Sequence, residues 1–337
     1  MMLRIGFVGF RHGHIFSLYN LLRGREDVVI VGACEEDEET RAGLAEKGVT
    51  VTHDSYGAML EEVECDAVAC GDYYGVRGEE LIRALDAGRH VIGDKPLCTR
   101  LDELDRIEDL ARAKDLRVGC MLDLVDAAPY RTLRRVIREG AIGEVRTMAI
   151  FGQHPLFFGA RPAWYFEQGK HGGTINDIAI HAVDAIPWMT GRAIVEVTAA
   201  RAWNARLKEV PSFQDGAQFM LRLDNNGGVL GDVSYLTPEA PGYAMPIYWH
   251  VGVHGDLGYA EATYAGDHVR LFRKEAQDPL MEALDPPRPG GYFDDFLADV
   301  AGHADPEGLH TERVLRSARI ALTAQAAADS GGFPCGV

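Results

Sequence analysis

Apolar residues in the first third of the chain alternate between short continuous runs and helical spacing. Continuous apolar runs fit strands that are buried on both faces, whereas Ile15, Leu18 and Leu22 share one helical face that Gly24 can end. The predicted strands are 3–9, 28–33, 66–70, 90–93 and 117–121, and the later helices are 38–47, 78–87 and 101–114. Regular strand–helix alternation predicts a doubly wound parallel sheet.

The pattern changes after about residue 122, where a helix at 127–139 and a strand at 144–151 lead into an irregular aromatic segment. The following strand-like runs, separated by turn residues, are 195–202, 217–223, 229–235, 247–253, 258–264 and 269–272. Asn225-Asn226-Gly227-Gly228 predicts a hairpin, and two helices, 293–301 and 311–329, close the chain. We therefore predict an α/β domain at 1–123 and, at 124–337, an α+β domain on a large, mostly antiparallel sheet. The closing helices of the second domain are free to pack back on the first.

Composition supports a folded two-domain protein of 337 residues, 47% of them hydrophobic and 25% charged. The formal net charge is −17, from 51 acidic against 34 basic residues. Such a field repels nucleic acid and anionic membranes, so we predict neither as a partner.

Cysteine usage and the N-terminus indicate a cytoplasmic protein. The six cysteines contain no C-x-x-C pair, and several lie in apolar runs where a free thiol packs as a small hydrophobe. The chain enters its first strand without a signal region. No apolar stretch approaches the roughly 20 residues that a membrane helix needs.

The first strand is followed by a glycine-containing turn, Gly6-Phe7-Val8-Gly9-Phe10-Arg11-His12-Gly13-His14. Such a turn can hold a pyrophosphate at a helix N-terminus, or its glycines can serve packing alone. Arg11 replaces the second glycine of the usual pattern, and the third glycine position falls at His14 or slips to Gly13. Glu35 follows the next strand, where a carboxylate would bind the adenosine ribose and disfavour a 2′-phosphate. We favour nucleotide binding, with NAD as cofactor and NADP left open.

His12 and His14 also raise the question of a metal. A pair without further ligands nearby fits a loop contact to phosphate or solvent better than a metal site. We therefore predict no metal.

A second feature, Gly93-Asp94-Lys95-Pro96, lies at the carboxyl end of a predicted parallel strand. Ligands of such sheets bind at that edge. Lys95 is either a salt-bridged surface residue, as most lysines are, or a proton-transferring group beside the nicotinamide. Its position between Asp94 and the rigid Pro96 favours the second interpretation.

The third feature is the stretch 172–184, in which Asp177, His181 and Asp184 have i, i+4, i+7 spacing. A helix would place all three on one face. They would then form the polar stripe of an amphipathic helix, a metal site, or an acid–base pair of histidine and carboxylate facing the cofactor. Pro187 predicts a kink or break in this helix.

Together these segments resemble the Gfo/Idh/MocA family of oxidoreductases, named after glucose-fructose oxidoreductase and inositol dehydrogenase. Residues 87–96 match its Glu-Lys-Pro segment with Asp94 in place of Glu, and 172–184 match its Gly-Gly…Asp…His…Asp segment. Residues 139–145 resemble the family's join between domains, and Asp295-Phe296 with Ser330-Gly331-Gly332 resemble its C-terminus.

The resemblance implies an N-terminal Rossmann domain that binds NAD(P), and it assigns roles to individual residues. Lys95, Asp177 and His181 match the catalytic positions. We predict that the dinucleotide is lined by Gly9, Phe10, Arg11, His12, Glu35, Cys70, Gly71, Asp72, Asp94 and Lys95. The predicted substrate-binding residues are Trp164, Lys170, Asp177 and His181, although core packing explains Trp164 equally well.

The implied reaction is hydride transfer between nicotinamide and a secondary alcohol of a sugar, polyol or related small molecule. A redox-assisted glycoside hydrolase or lyase with tightly bound NAD would use the same residues, and a non-catalytic dinucleotide sensor is a third interpretation. We also expect a homodimer or homotetramer formed through the C-terminal sheet.

Overall fold

The computed structural model describes residues 2–331 and the strand Cys335–Gly336, and the chain divides into two compact units. The first unit comprises Met1–Met121, Gly169–Gly172 and Tyr292–Arg316. The second comprises Leu122–Gln168, Gly173–Gly291 and Ser317–Val337. Gly332, part of the motif that resembles the family's C-terminus, lies outside the described residues.

A five-stranded parallel sheet forms the centre of the first unit, as predicted. Its strands are β1 (Leu3–Val8), β2 (Val28–Cys34), β3 (Ala67–Cys70), β4 (His90–Gly93) and β5 (Val118–Cys120), in the order β2-β1-β3-β4-β5. Its helices are α1 (Ile15–Arg23), α2 (Glu38–Ala42), α3 (Tyr56–Glu62), α4 (Tyr74–Asp86) and α5 (Leu101–Lys114). A parallel bridge joins Cys34 to His53, so a sixth strand position beyond β2 is reduced to one residue pair. With that position the strand order is the one typical of dinucleotide-binding sheets.

Helix bounds in this unit differ from the prediction in three places. The helix predicted at 38–47 ends at Ala42, where Gly43 follows, and the one predicted to begin at Gly78 begins four residues earlier. Helix α3 was not predicted. Its start is set by Ser55, whose hydroxyl accepts a hydrogen bond from the N–H of Ala58.

A nine-stranded sheet dominates the second unit. Its strands are β6 (Val145–Pro155), β7 (Ile194–Trp203), β8 (Gly216–Leu223), β9 (Gly228–Thr237), β10 (His250–Gly255), β11 (Gly258–Thr263), β12 (His268–Arg273), β13 (Leu280–Ala283) and β14 (Cys335–Gly336). Their order is β13-β12-β11-β10-β6-β9-β8-β7-β14, and every pair is antiparallel except β6 with β9. The predicted mostly antiparallel sheet and the β8–β9 hairpin are thus confirmed. Helices α6 (Ala128–Arg138) and α7 (Ile180–Thr190) pack on this sheet.

Three local predictions in this unit were wrong or incomplete. Strand β10 begins at His250 rather than at residue 247, and β13 was not predicted. Pro187 does not break its helix, because α7 continues through it to Thr190. The residues around it, Ile186 and Met189, are fully buried. We infer that their packing offsets the penalty of about 3 kcal/mol for a proline inside a helix.

The closing helices are α8 (Gly291–Val300) and α9 (Thr311–Ser330). Most of α8 belongs to the first unit, where Phe296 packs on β5 so closely that a Cβ on Gly119 would lie 2.7 Å from its ring. Arg25 and Asp294 form an ion pair at 2.6 Å in the same unit. None of the helices in the described part of the chain is long and apolar enough to cross a membrane.

Candidate functional site

The turn after β1 packs directly against the loop after β3. Gly9 has a φ of +70°, and a Cβ there would lie 2.5 Å from the Cβ of Asp72, so glycine is required at this position. The N–H of His12 donates to the carbonyl of Gly71 at 2.9 Å. Beside Gly13, by contrast, no described atom lies within 4 Å of where a Cβ would stand. The turn is therefore held firmly on one side and has open space on the other.

Arg11 connects two other predicted cofactor residues, Asp72 and Glu35. Its Nε lies 2.8 Å from Oδ1 of Asp72 and 3.9 Å from Oε1 of Glu35. The guanidinium also lies 4.8 Å from the ring centre of Tyr73. Burial by itself would lower the pKa of Arg11, but Asp72 and then Glu35 raise it, so the side chain stays cationic. A fixed positive charge thus stands where the usual turn has a glycine.

Glu35 is fully buried and braces the turn. One carboxylate oxygen accepts the N–H of Phe10 at 2.7 Å, and the other accepts the N–H of Asp37 at 2.9 Å. Burial raises the pKa of Glu35, and these two hydrogen bonds oppose the rise. Its role as a ribose acceptor stays a prediction.

Asp94 lies at the carboxyl end of β4, and two histidines contact its carboxylate. His12 Nδ1 contacts Oδ2 of Asp94, and His14 Nδ1 lies 3.3 Å from Oδ1. Burial lowers the pKa of His12 to about 4. Burial would raise the pKa of Asp94, but His12, His14 and Arg77 hold it well below its usual range. At neutral pH the pair is therefore an ionised carboxylate and a neutral imidazole.

Arg77 was not predicted, yet it fixes both loops that carry candidate residues. It is fully buried. Its guanidinium donates hydrogen bonds to three carbonyls, those of Asp72 at 2.7 Å, Asp94 at 2.9 Å and Pro96 at 2.7 Å. Lys95 lies on the loop held in this way and is buried, with Nζ 5.9 Å from the ring centre of Tyr74. No pattern in the sequence marks Arg77, because a lone arginine near a helix start is common on protein surfaces.

Lys170, a predicted substrate-binding residue, lies in the first unit beside the start of α4. Its carbonyl accepts the N–H of Gly75 at 2.9 Å, and its Nζ lies 5.0 Å from the ring centre of Tyr73. The next residue, His171, has its ring 5.5 Å from that of Tyr74. Lys170 and the predicted cofactor residue Asp72 therefore share one neighbour, Tyr73, in the same unit.

In the second unit, Asp177 is enclosed by phenols. Tyr165 donates its hydroxyl to Oδ2 of Asp177 at 2.6 Å, and the hydroxyl of Tyr235 donates to the same oxygen. The two hydroxyl oxygens are 2.9 Å apart. Arg161 lies over both rings, 4.6 Å from that of Tyr165 and 5.4 Å from that of Tyr235. None of these three partners was predicted, and the aromatic segment around Tyr165 was the only available signal.

The predicted polar stripe does not form, because the side chains of Asp177, His181 and Asp184 do not share one helical face. A π-helical turn (Ile175–Ala179) precedes α7, and its wider turn changes the facing of residues across it. Asp184 accepts a hydrogen bond from Ser317 at 3.1 Å, and the ring of His181 lies 5.8 Å from that of Trp249. All three are buried, so the interpretation as a solvated polar stripe was wrong.

Trp164, the remaining predicted substrate residue, is buried beside Tyr165 with ring centres 5.0 Å apart. This placement supports its core-packing interpretation.

A parallel sheet of this order, with a tight glycine turn after its first strand, defines the class of dinucleotide-binding domains. Residues 3–121 match the family described as "Oxidoreductase family, NAD-binding Rossmann fold", and residues 130–261 match the "GFO/IDH/MocA C-terminal domain". The chain therefore belongs to the Gfo/Idh/MocA family of NAD-binding oxidoreductases.

Among its relatives is inositol 2-dehydrogenase 2 of Saccharopolyspora erythraea, 27% identical over 72% of this chain and 69% of that protein. A 1,5-anhydro-D-fructose reductase of Ensifer adhaerens is 28% identical over 44% of this chain and 45% of its own length. The fold is shared with an inositol dehydrogenase homologue of Azotobacter vinelandii solved with NAD+, at 17% identity and a TM-score of 0.82 over 100% of this chain and 98% of that one.

The residues at the start of α1 fit a dinucleotide. The space beside Gly13 is open, and the side chain of His14, the N-cap residue of α1, makes no capping hydrogen bond. Arg11 lies in the same turn and stays cationic. Gly9, Gly13 and Arg11 are therefore the residues that would hold the phosphates of NAD.

Proposed function

We propose that this chain is an NAD-dependent oxidoreductase that acts on a secondary alcohol of a sugar, polyol or related small molecule, or on the corresponding ketone. The names of its relatives, an inositol dehydrogenase and an anhydrofructose reductase, support this substrate class. The observation that carries the proposal is the buried Asp177 carboxylate held by two phenol hydroxyls, one helical turn before His181.

Each proposed catalytic residue has one task, and bound NAD supplies the hydride acceptor or donor. His181 takes the proton of the substrate hydroxyl when the alcohol is oxidised and returns it when the ketone is reduced. Asp177, held by Tyr165 and Tyr235, assists this proton transfer from a fixed position. Lys95 places a positive charge beside the nicotinamide, on a loop of the first unit that Arg77 holds rigid.

Cofactor choice is tested by titrating the purified chain with NADH and NADPH and following energy transfer from its tryptophans. We expect NADH to bind more tightly than NADPH, and Glu35→Ala to narrow the difference, since Glu35 is the residue expected to disfavour a 2′-phosphate. If neither dinucleotide binds, and denatured protein releases none, the dehydrogenase assignment and the dinucleotide-sensor interpretation both fail.

Activity is tested by a screen of sugars and polyols for NADH production. His181→Asn is expected to lower kcat by about 10²–10⁴-fold while NADH still binds, because only proton transfer is removed. Turnover of a glycoside without net NADH production would instead support the hydrolase or lyase.

We also propose that the open face of the large sheet forms a homodimer or homotetramer. Met220 on β8 and Leu230 on β9 are cross-strand partners that are 48% and 55% exposed. They border an apolar groove of about 450 Å³ that also includes Ala149 and Phe151. Leu230→Lys should reduce the mass measured by light scattering to that of a monomer, and an unchanged mass would place the interface elsewhere. A cytoplasmic location is a further proposal, supported by the five cysteines whose side chains are described, which are buried and not joined in disulfides.

A further inference from the structure

Three side chains from two distant parts of the sequence converge in the first unit. His12 and His14 come from the turn after β1, and Asp94 comes from the end of β4. One ligand atom from each residue lies within 4.8 Å of the other two, and the two imidazole rings are 4.5 Å apart. The turn alone offers only two nitrogen ligands, and the fold adds a carboxylate between them.

One carboxylate oxygen of Asp94 has no hydrogen-bond donor among the described residues. The residue is 0% exposed, and its Oδ1 accepts no hydrogen bond from any residue the structure describes. His14 Nδ1 lies 3.3 Å from this oxygen. The other oxygen, Oδ2, contacts His12 and lies 3.8 Å from Nη2 of Arg77. A buried carboxylate oxygen without a donor is unfavourable, and a cation between it and His14 would remove the deficit.

The donor set identifies the class of cation. Two imidazole nitrogens and one carboxylate oxygen suit Zn²⁺ and neighbouring first-row metals, whereas Mg²⁺ and Ca²⁺ prefer oxygen ligands alone. Two ligands of a tetrahedral ion with bonds of about 2.0–2.1 Å stand roughly 3.3 Å apart. The measured separation of His14 Nδ1 and Asp94 Oδ1, 3.3 Å, agrees with this value.

The surroundings also suit a metal. His12 Nε2 is 3.0 Å from the hydroxyl of Tyr74, an outer partner of the kind that orients ligating histidines. The side chain of His14 is about half exposed, so an ion has a path to the site. The formal net charge of −17 favours cations near the protein. A hydrogen bond between His12 and Asp94 alone would account for one histidine but not for the second on the opposite oxygen.

We propose that His12, His14 and Asp94 bind one divalent transition-metal ion, with Zn²⁺ as the preferred ion. Three protein ligands leave a fourth position for water or for an oxygen of a bound molecule. The site requires no nucleotide, so the test of metal binding is independent of the test of dehydrogenase activity.

The test uses the full chain without an affinity tag, stripped of metal by a chelator and kept free of nucleotide. Co²⁺ is titrated while visible absorption reports nitrogen-ligated cobalt, and Zn²⁺ is then added to displace it. Equilibrium dialysis with elemental analysis gives the stoichiometry. We expect one ion per chain and displacement of Co²⁺ by Zn²⁺.

The matched variants are His14→Ala and His303→Ala. His14 is half exposed, so its loss should leave the fold intact, as circular dichroism will check, and His14→Gln serves as a second variant. His303 is an exposed histidine after α8 in the same unit. Zinc affinity should fall at least about tenfold in both His14 variants and stay unchanged in His303→Ala. Absence of saturable binding, or equal affinity in the His14 variants, would overturn the proposal. An NADH titration of the same samples reports the proposed function separately.

Discussion

Two aspartates, Asp94 in the first unit and Asp177 in the second, are buried to the same degree but in opposite surroundings. Asp94 is surrounded by ionisable groups, with Arg77, His12 and His14 all within 4 Å of its oxygens. Asp177 receives the neutral hydroxyls of Tyr165 and Tyr235, while Arg161 contacts their rings. Burial alone therefore does not define what a carboxylate does.

The difference matters because charge and hydroxyl donors stabilise a carboxylate differently. A cation compensates the whole charge of Asp94 and makes its removal costly for the fold. Two hydroxyls on one oxygen of Asp177 fix its position. We expect stability to depend on the first residue and activity on the second.

The largest expected effect is that of Asp177→Asn on catalysis. The amide keeps the shape of the side chain but removes its charge, so kcat/KM should fall by about 10²–10⁴-fold. Steady-state kinetics with the substrate found in the screen measure it, and NADH titration of the same variant should give the wild-type result. A kcat/KM close to wild type would mean that Asp177 serves packing and not catalysis.

Asp94→Ala should have the largest effect on stability. It leaves Arg77 buried without its nearest carboxylate, and breaking such a pair typically costs about 3–5 kcal/mol of unfolding free energy. Urea unfolding of metal-free protein measures the loss. Asp109→Ala, an exposed position on α5, is the control and should stay within about 0.5 kcal/mol of wild type. Equal stability of the two variants would contradict the role assigned to Asp94.

Tyr235→Phe should lower the unfolding free energy by less than Asp94→Ala does. It removes one hydroxyl donor to Asp177 and keeps the ring in the aromatic cluster, so we expect a loss of roughly 1–3 kcal/mol in unfolding free energy. Tyr264→Phe, at a residue that is 44% exposed, is the comparison and should change the unfolding free energy little. If the two variants unfold alike, the Tyr235 hydroxyl does not hold Asp177.

The smallest expected effect is that of Glu80→Gln, which replaces a buried carboxyl in the first unit. Burial, and then Asp72, raise the pKa of Glu80 well above its ordinary 4.5. The stability that Glu80 contributes is therefore fully present below about pH 4.5 and is lost as pH rises towards the folded-state pKa. Between about pH 5 and pH 8, Glu80→Gln should gain stability relative to wild type by at least about 1.4 kcal/mol.

The control for that measurement is Glu79→Gln, at the exposed neighbouring position. Its stability relative to wild type should not vary over the same pH range. A flat difference for Glu80→Gln as well would show that Glu80 is ionised in the folded protein.

Much of the fold and part of the candidate site follow from sequence alone. Buried strand runs and helical spacing are local properties, so the parallel sheet and the large antiparallel sheet were both predictable. Gly9, Glu35 and Lys95 could be predicted as site residues because each ends or follows a predicted strand, and parallel strands bring their carboxyl ends to one edge. Bounds such as the short α2 and the continuous α7 were missed, because caps and packing around Pro187 outweigh the local pattern.

Only the tertiary structure decided which partners each functional residue has. Asp94 meets His12 across 82 residues of sequence, and Tyr235 meets Asp177 across 58. Likewise, the burial of Glu35 and the anchoring by Arg77 depend on loops that come together only when the sheet forms. Spacing along the chain carries no information about such contacts, because they are set by how whole elements pack. The sequence thus determined which residues reach the edge of the sheet, and the packing determined their charge environment.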